Sequence, residues 1–200
     1  MSLFGIQKDL FTNKIIMEYN KDYKRWAMYC EAAYNNADVP NSKKLWSNGE
    51  VTIFEEREFY VAVFRGTQIT SIRDLMADAD IALNYVLRRK HGVARYIKNK
   101  WQLEETIAAM KLYRKKFILT GHSLGGGIAS YVMDTNYPLA CYAYLFNSPG
   151  AGFDNVPPKL EATQWYIDGD PVSTFRDKRV KQIVLPRNPD INSHTIKQFL

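Results

Sequence analysis

Phe117-Ile118-Leu119-Thr120-Gly121-His122-Ser123-Leu124-Gly125-Gly126-Gly127-Ile128-Ala129 is the stretch that decides the fold. An apolar, partly β-branched run leads into a glycine-rich turn, and a helix-compatible stretch, Ile128 to Met133, follows. Strand, sharp turn and helix, with Gly121-x-Ser123-x-Gly125 in the turn, predict a nucleophile elbow. Such a turn strains the residue at its apex and crowds the backbone on both sides. Glycine at each flank removes the Cβ atoms that would clash. Ser123 then stands at the N-terminus of the following helix, whose free N–H groups and dipole favour an oxyanion.

Upstream of the elbow, Tyr19 to Ala37 reads as a helix with Trp26, Tyr29, Cys30, Ala33 and Tyr34 on one face, as core packing. Residues 35–42 read as a loop. Glu50 to Glu56 alternates and predicts a strand; Phe59 to Arg65 is almost wholly apolar and predicts a central strand, buried on both faces. Ser71 to Ala79 predicts a short helix with the apolar stripe Ile72, Leu75, Met76 and Ala79, and His91 to Arg114 a long one. Downstream, Leu139 to Asn147, Thr163 to Ile167 and Arg179 to Leu185 predict strands, and Thr195 to Leu200 begins a short helix. Helix-length crossovers between apolar strands imply an α/β class with a mostly parallel sheet flanked by helices. The chain, 1–200, is expected to be one domain, with 1–18 a loosely held lead-in.

Loops at the C-terminal ends of parallel strands carry ligands. Those ends hold Gly66-Thr67, Gly121-His122-Ser123, Ser148-Pro149-Gly150 and Gly169-Asp170, so the suggestive polar clusters converge on one sheet edge.

Composition bounds the alternatives. Charged residues at 24% and hydrophobic ones at 46% are ordinary for a globular chain with a substantial core. No apolar run approaches a membrane span, and Met1 to Leu10 has no signal-like apolar region. The expected location is therefore cytoplasmic, or outside by a non-signal route. Cys30 and Cys141 have no metal-ligand spacing and read as two buried thiols; no metal and no cofactor are expected. The net charge of +6 favours anionic surfaces, but the basic residues form no nucleic-acid motif, so no nucleic-acid partner is expected.

A serine hydroxyl needs an adjacent base to act as a nucleophile at neutral pH. Of the three histidines, His122 should point away from Ser123 in a sharp elbow and pack, and His91 should cap or pack before the long helix. His194, in a polar loop after the last strand, is the expected base. Asp170, bent inward by Gly169 and Pro171 just past a strand end, is the expected orienter of that base; Asp168 is the runner-up and reads as a turn former. The oxyanion donors should be the N–H of Leu124 and Thr67 in the loop after the Phe59–Arg65 strand. The order Ser123, Asp170, His194 is that of α/β-hydrolases.

Together with these residues, Phe64-Arg65-Gly66-Thr67, Ser71 to Asp78, His91-Gly92-Val93, Thr120 to Gly126, Asn147 to Gly150, Gly169 to Val172 and Ser193-His194 form a series that resembles the class 3, fungal-type triacylglycerol lipases. The resemblance runs from about residue 50 to the end. It implies a compact, lipase-like α/β-hydrolase fold, a Ser123–Asp170–His194 triad, oxyanion donors at Thr67 and Leu124, and a lid at Ser71 to Asp78. It also implies hydrolysis of carboxylic esters of lipids without a cofactor or catalytic metal. Val93 stands where that family has an aromatic, and two cysteines cannot supply the disulfides of its secreted members. Lipase, esterase and phospholipase A1-like activities all stay open.

The lid reading has support of its own, since one apolar stripe follows directly on the oxyanion loop and would meet a membrane or micelle surface when open. Lys111, Arg114, Lys115 and Lys116 fall at the sheet edge opposite the site, and Arg88-Arg89-Lys90 reads as a solvated loop. The rival reading is a hydrolase-fold module that binds lipid or protein without turnover.

Overall fold

The computed structural model describes residues 22–66, 100–113, 115–135, 140–149, 162–175 and 180–200. Within them, β1 (Lys43–Ser47), β2 (Val51–Glu55), β3 (Tyr60–Phe64), β4 (Phe117–His122), β5 (Ala140–Phe146), β6 (Ala162–Ile167) and β7 (Lys181–Leu185) form one sheet. The strands lie side by side in chain order. β1, β2 and β3 make an antiparallel meander, and β3 through β7 are all parallel. The C-terminal ends of five strands therefore share one edge.

Strand order dictates how the faces are covered. A right-handed crossover between sequential neighbours places each connecting helix on the same face. Met110 of α2 (Lys100–Leu112) and Ala129, Val132 and Met133 of α3 (Leu124–Thr135) accordingly pack in one cluster with Ala62, Phe64, Leu119 and Leu145. The strands alternate, so Val61, Val63, Ile118, Tyr144 and Phe146 point to the other face. The two ends of the described chain cover that face. α1 (Tyr23–Asn35) brings Trp26, Tyr29 and Cys30, and the 3-10 turn Ile196–Phe199 brings Ile196 and Phe199. Trp26 stacks on Tyr144 with centroids 4.4 Å apart and planes 6° apart, and Phe199 meets Phe146 edge-on at 5.0 Å. Lys24 Nζ donates to the Leu200 carbonyl at 2.7 Å, which ties these two ends together.

The mostly parallel sheet flanked by helices is as expected, with three differences. β1 replaces an unassigned stretch. α1 is shorter than its periodicity: Asp22 caps it by accepting from the Arg25 N–H at 3.2 Å, and Asn36 ends it at φ 51°. α3 starts at Leu124, directly after the serine, rather than at Ile128. The glycines between are helical. The Ser71–Ala79 helix, the Arg88-Arg89-Lys90 cluster, His91 and the lead-in lie outside the described residues.

Away from the shared edge, Lys115 donates to Glu55 Oε1 at 2.8 Å and lies 5.1 Å from the centroid of the Tyr60 ring. Its charge is thus engaged at the opposite edge, as expected. Beside it, Glu56 accepts from Arg25 and from Tyr29. Cys30 is a free, buried thiol 3.3 Å from Thr120 Oγ1. Because that hydroxyl gives its proton to the Tyr144 carbonyl, the thiol is the donor. Burial pushes the Cys30 thiol up to about 12.

Candidate active site

Ser123 sits between β4 and α3 with φ 57°, a left-handed conformation that costs a non-glycine residue energy. The conformation is held from both sides. The Ser123 N–H donates to the Phe146 carbonyl at 2.9 Å, and its carbonyl accepts from Gly126 N–H at 3.0 Å. The flanking glycines are needed for close approach, not for unusual φ. A Cβ on Gly121 would lie 2.4 Å from the Gly125 carbonyl, and one on Gly125 would lie 2.1 Å from the Phe64 carbonyl oxygen.

Asp170 ends a turn in which its N–H donates to the Ile167 carbonyl at 3.0 Å and Gly169 takes φ 77° at the third position. Only a residue tolerant of positive φ suits that position. Asp168 is exposed in the same turn, as its reading as a turn former anticipated. His194 is set by an Asx turn, with its N–H donating to Asn192 Oδ1 at 2.9 Å. Gln198 steadies the loop by donating to the carbonyls of Asn188 and Ile191, both at 3.0 Å.

These three elements bring the expected residues together. His194 Nε2 is 2.8 Å from Ser123 Oγ, and His194 Nδ1 is 2.6 Å from Asp170 Oδ1. All three residues are buried. Asp170 Oδ2 also accepts from the Ser173 N–H at 2.7 Å and the Ser173 hydroxyl at 2.6 Å. A carboxylate with both oxygens so engaged can only accept, so Nδ1 carries the imidazole proton and Nε2 is left as the acceptor for the serine hydroxyl.

The Leu124 backbone stands at the first position of α3, beside Ser123. Gly66 comes close to the serine as well: a Cβ there would lie 3.3 Å from Ser123 Cβ. Thr67, Ile72, Leu75 and Met76 lie outside the described residues. Among the described residues no cluster of three or more metal-binding side chains forms, and no helix is long and apolar enough to cross a membrane.

Residues 61–135 match the family model described as Lipase (class 3). The match spans less than half of the chain and marks a class 3 lipase-like segment. The matched segment runs from β3 through the elbow to the end of α3, so it contains Gly66-Thr67 and Ser123. Asp170 and His194 lie beyond it and rest on their geometry. The fold is similar to that of a triacylglycerol lipase from Penicillium expansum, with 20% identity, 82% of this chain and 79% of that chain covered, and a TM-score of 0.51. A structure described as a fungal lipase matches at 18% identity over 91% of this chain and 84% of that one, with a TM-score of 0.47. No curated protein sequence matches the chain.

Sequence reasoning missed two supports of this site. His122, read only as packing, is buried but polar in its contacts: Nε2 is 2.6 Å from the His194 carbonyl and Nδ1 is 3.1 Å from the Tyr34 hydroxyl. Burial first, and then the nearby His194, hold it well below the usual histidine range. Asn147, at φ 42°, donates from Nδ2 to the Ser193 carbonyl at 2.9 Å and accepts the Ile167 N–H at 3.0 Å. It thus ties the base loop to the strand that leads to Asp170. One signal was available: a histidine on a buried strand must find a partner for each ring nitrogen.

Proposed function

We propose that the chain hydrolyses carboxylic esters of lipids through an acyl-enzyme formed on Ser123. His194 Nε2 takes the hydroxyl proton as Oγ bonds to the ester carbonyl carbon. The tetrahedral oxyanion is held by the N–H of Leu124 and by Thr67, and the alcohol leaves with the proton from Nε2. Water, deprotonated by His194, then attacks the acyl-enzyme. The carboxylic acid is released and Ser123 regains its proton. Asp170 keeps His194 in the required tautomer and offsets the imidazolium charge. In this reading Ile72, Leu75 and Met76 form the apolar face of a lid that turns toward a lipid surface.

The observation that carries the proposal is the continuous buried chain from Asp170 through His194 to Ser123, with contacts of 2.6 and 2.8 Å. A binding module would have no use for a strained serine whose hydroxyl faces an unprotonated imidazole nitrogen. Labelling with a fluorophosphonate tests it directly. The wild-type chain should label, and Ser123→Ala and His194→Ala should not. A folded wild type that resists the reagent, with and without micelles, would turn the assignment toward binding without turnover. Nitrophenyl esters of increasing chain length, assayed with and without micelles, then separate lipase from esterase.

A further inference from the structure

We infer that Tyr34 and His122 act as a hydrogen-bonded positioning pair that locks the oxyanion loop, the elbow and the base loop into one register. The inference rests on the catalytic reading above and assigns that site two supports outside the triad.

Donors and acceptors settle how the pair is wired. The His194 carbonyl, 2.6 Å from His122 Nε2, can only accept, so Nε2 carries the proton. In the neutral ring Nδ1 is then an acceptor, and the Tyr34 hydroxyl at 3.1 Å must give it a proton. The Tyr34 oxygen in turn accepts from the backbone of Gly66. One directed chain results: Gly66 N–H to Tyr34, Tyr34 O–H to His122 Nδ1, and His122 Nε2–H to the His194 carbonyl. Reversing any link would set two protons or two lone pairs against each other.

Each end of this chain lies at a working part of the site. Gly66 directly precedes Thr67, and it is pressed so closely that a Cβ would fall 2.4 Å from the Tyr34 hydroxyl and 2.5 Å from the His122 carbonyl oxygen. His122 is the chain neighbour of Ser123. The His194 carbonyl belongs to the base itself. Tyr34 comes from α1, packed on the opposite side of the sheet from α2 and α3. A neutral His122, its ring centroid 5.0 Å from that of His194, adds no like charge when His194 becomes an imidazolium. A shift of about 1 Å in a reacting group can cost about a hundredfold in rate, so holding two loops at once has a catalytic effect.

The test compares Tyr34→Phe, His122→Gln and His122→Asn. Glutamine carries its amide N–H near the position of Nε2 and can still donate to the His194 carbonyl; asparagine is too short to do so. On a short soluble ester, Tyr34→Phe should lose about tenfold or more in kcat with KM nearly unchanged. His122→Gln should keep more of its kcat than His122→Asn. Nitrogen NMR of the histidine rings provides a readout independent of turnover. It should find His122 as the neutral Nε2–H form, with the Gly66 amide and the His194 ring both shifting in Tyr34→Phe. Unmoved His194 resonances in Tyr34→Phe, a loss confined to KM, or equal kcat in the Gln and Asn variants would each overturn the inference. Coupled resonances in a chain that no fluorophosphonate labels would instead leave the pair standing and sink the catalytic reading.

Discussion

Asp170 accepts from His194 through one oxygen and from Ser173, twice, through the other. That arrangement separates it from its neighbour Asp168, which is exposed in the turn. Asp170→Asn keeps the shape but offers an amide that can force His194 into the wrong tautomer. It should lower kcat by about ten-thousandfold, a smaller loss than that of Ser123→Ala. Asp168→Asn should stay near wild type in kcat/KM. If Asp168→Asn proves the more damaging, the orienter has been assigned to the wrong aspartate. The same scale explains what could be read in advance. Ser123, Asp170 and His194 each follow a strand or sit just past one, and each belongs to a chemical type the reaction needs. His122 was legible as a buried side chain and Tyr34 as part of the core face of its helix, but their partners come from residues 72 and 88 positions away. Periodicity reports the face a residue occupies and is silent on which distant carbonyl that face will meet.

His122 also makes a prediction about pH. Burial and His194 hold its ring below the usual range, with Tyr34 and His194 as the titratable groups that face it. The unfolded chain takes up a proton at this residue near about pH 6.5. The folded chain takes it up only at lower pH. Stability present above that value is therefore lost as pH falls through the window below it, by up to about 1.4 kcal/mol per pH unit. Urea unfolding at a series of pH values should give a shallower acid-side slope for His122→Gln than for wild type. Parallel slopes in the two proteins would show that this imidazole is not the group responsible.

Among the elements, the approach of α3 to the sheet is set by glycine rather than by side-chain packing. Gly125 lies where any Cβ would strike the Phe64 carbonyl oxygen at 2.1 Å and the Gly66 nitrogen at 2.8 Å. Backbone cannot give way there without moving β3 or Gly66 just beyond it. Gly127, two residues on, would place its Cβ 3.5 Å from Pro149 Cγ, an ordinary contact. Gly125→Ala should thus lose about 3 kcal/mol or more. Gly127→Ala should gain about 0.5–1 kcal/mol, because alanine loses less backbone freedom inside a helix. Thermal melts of the two variants should move in opposite directions. The one strand that went unread, β1, shows the converse limit. Lys43 and Lys44 open it, its register shifts between Lys44 and Trp46, and it forms an edge. An edge strand protected by lysines and broken by a bulge loses both the apolar signal and the period of two that betray a strand.

For the molecule as a whole, sequential strand order has a consequence for catalysis. Crossover helices cover one face of the sheet, and the other face depends on α1 and on the last residues of the chain. His194, the proposed base, stands two residues before the 3-10 turn that packs on this second face, so the turn and the imidazole are positioned together. Phe199, buried against Phe146, is the anchor of that turn. Met110, equally buried, packs from α2 in the cluster on the opposite face. Truncating either to alanine leaves a cavity, at a cost of about 3–5 kcal/mol for Phe199→Ala and about 2–5 kcal/mol for Met110→Ala. Their effects on turnover should differ. At a temperature where both variants remain folded, Phe199→Ala should lower kcat about tenfold or more, since the His194 loop loses its footing. Met110→Ala should turn over ester at close to the wild-type rate. Equal kcat in the two variants, at matched folded fraction, would show that the grip of His122 and Asn147 on the base loop suffices without the core beneath it.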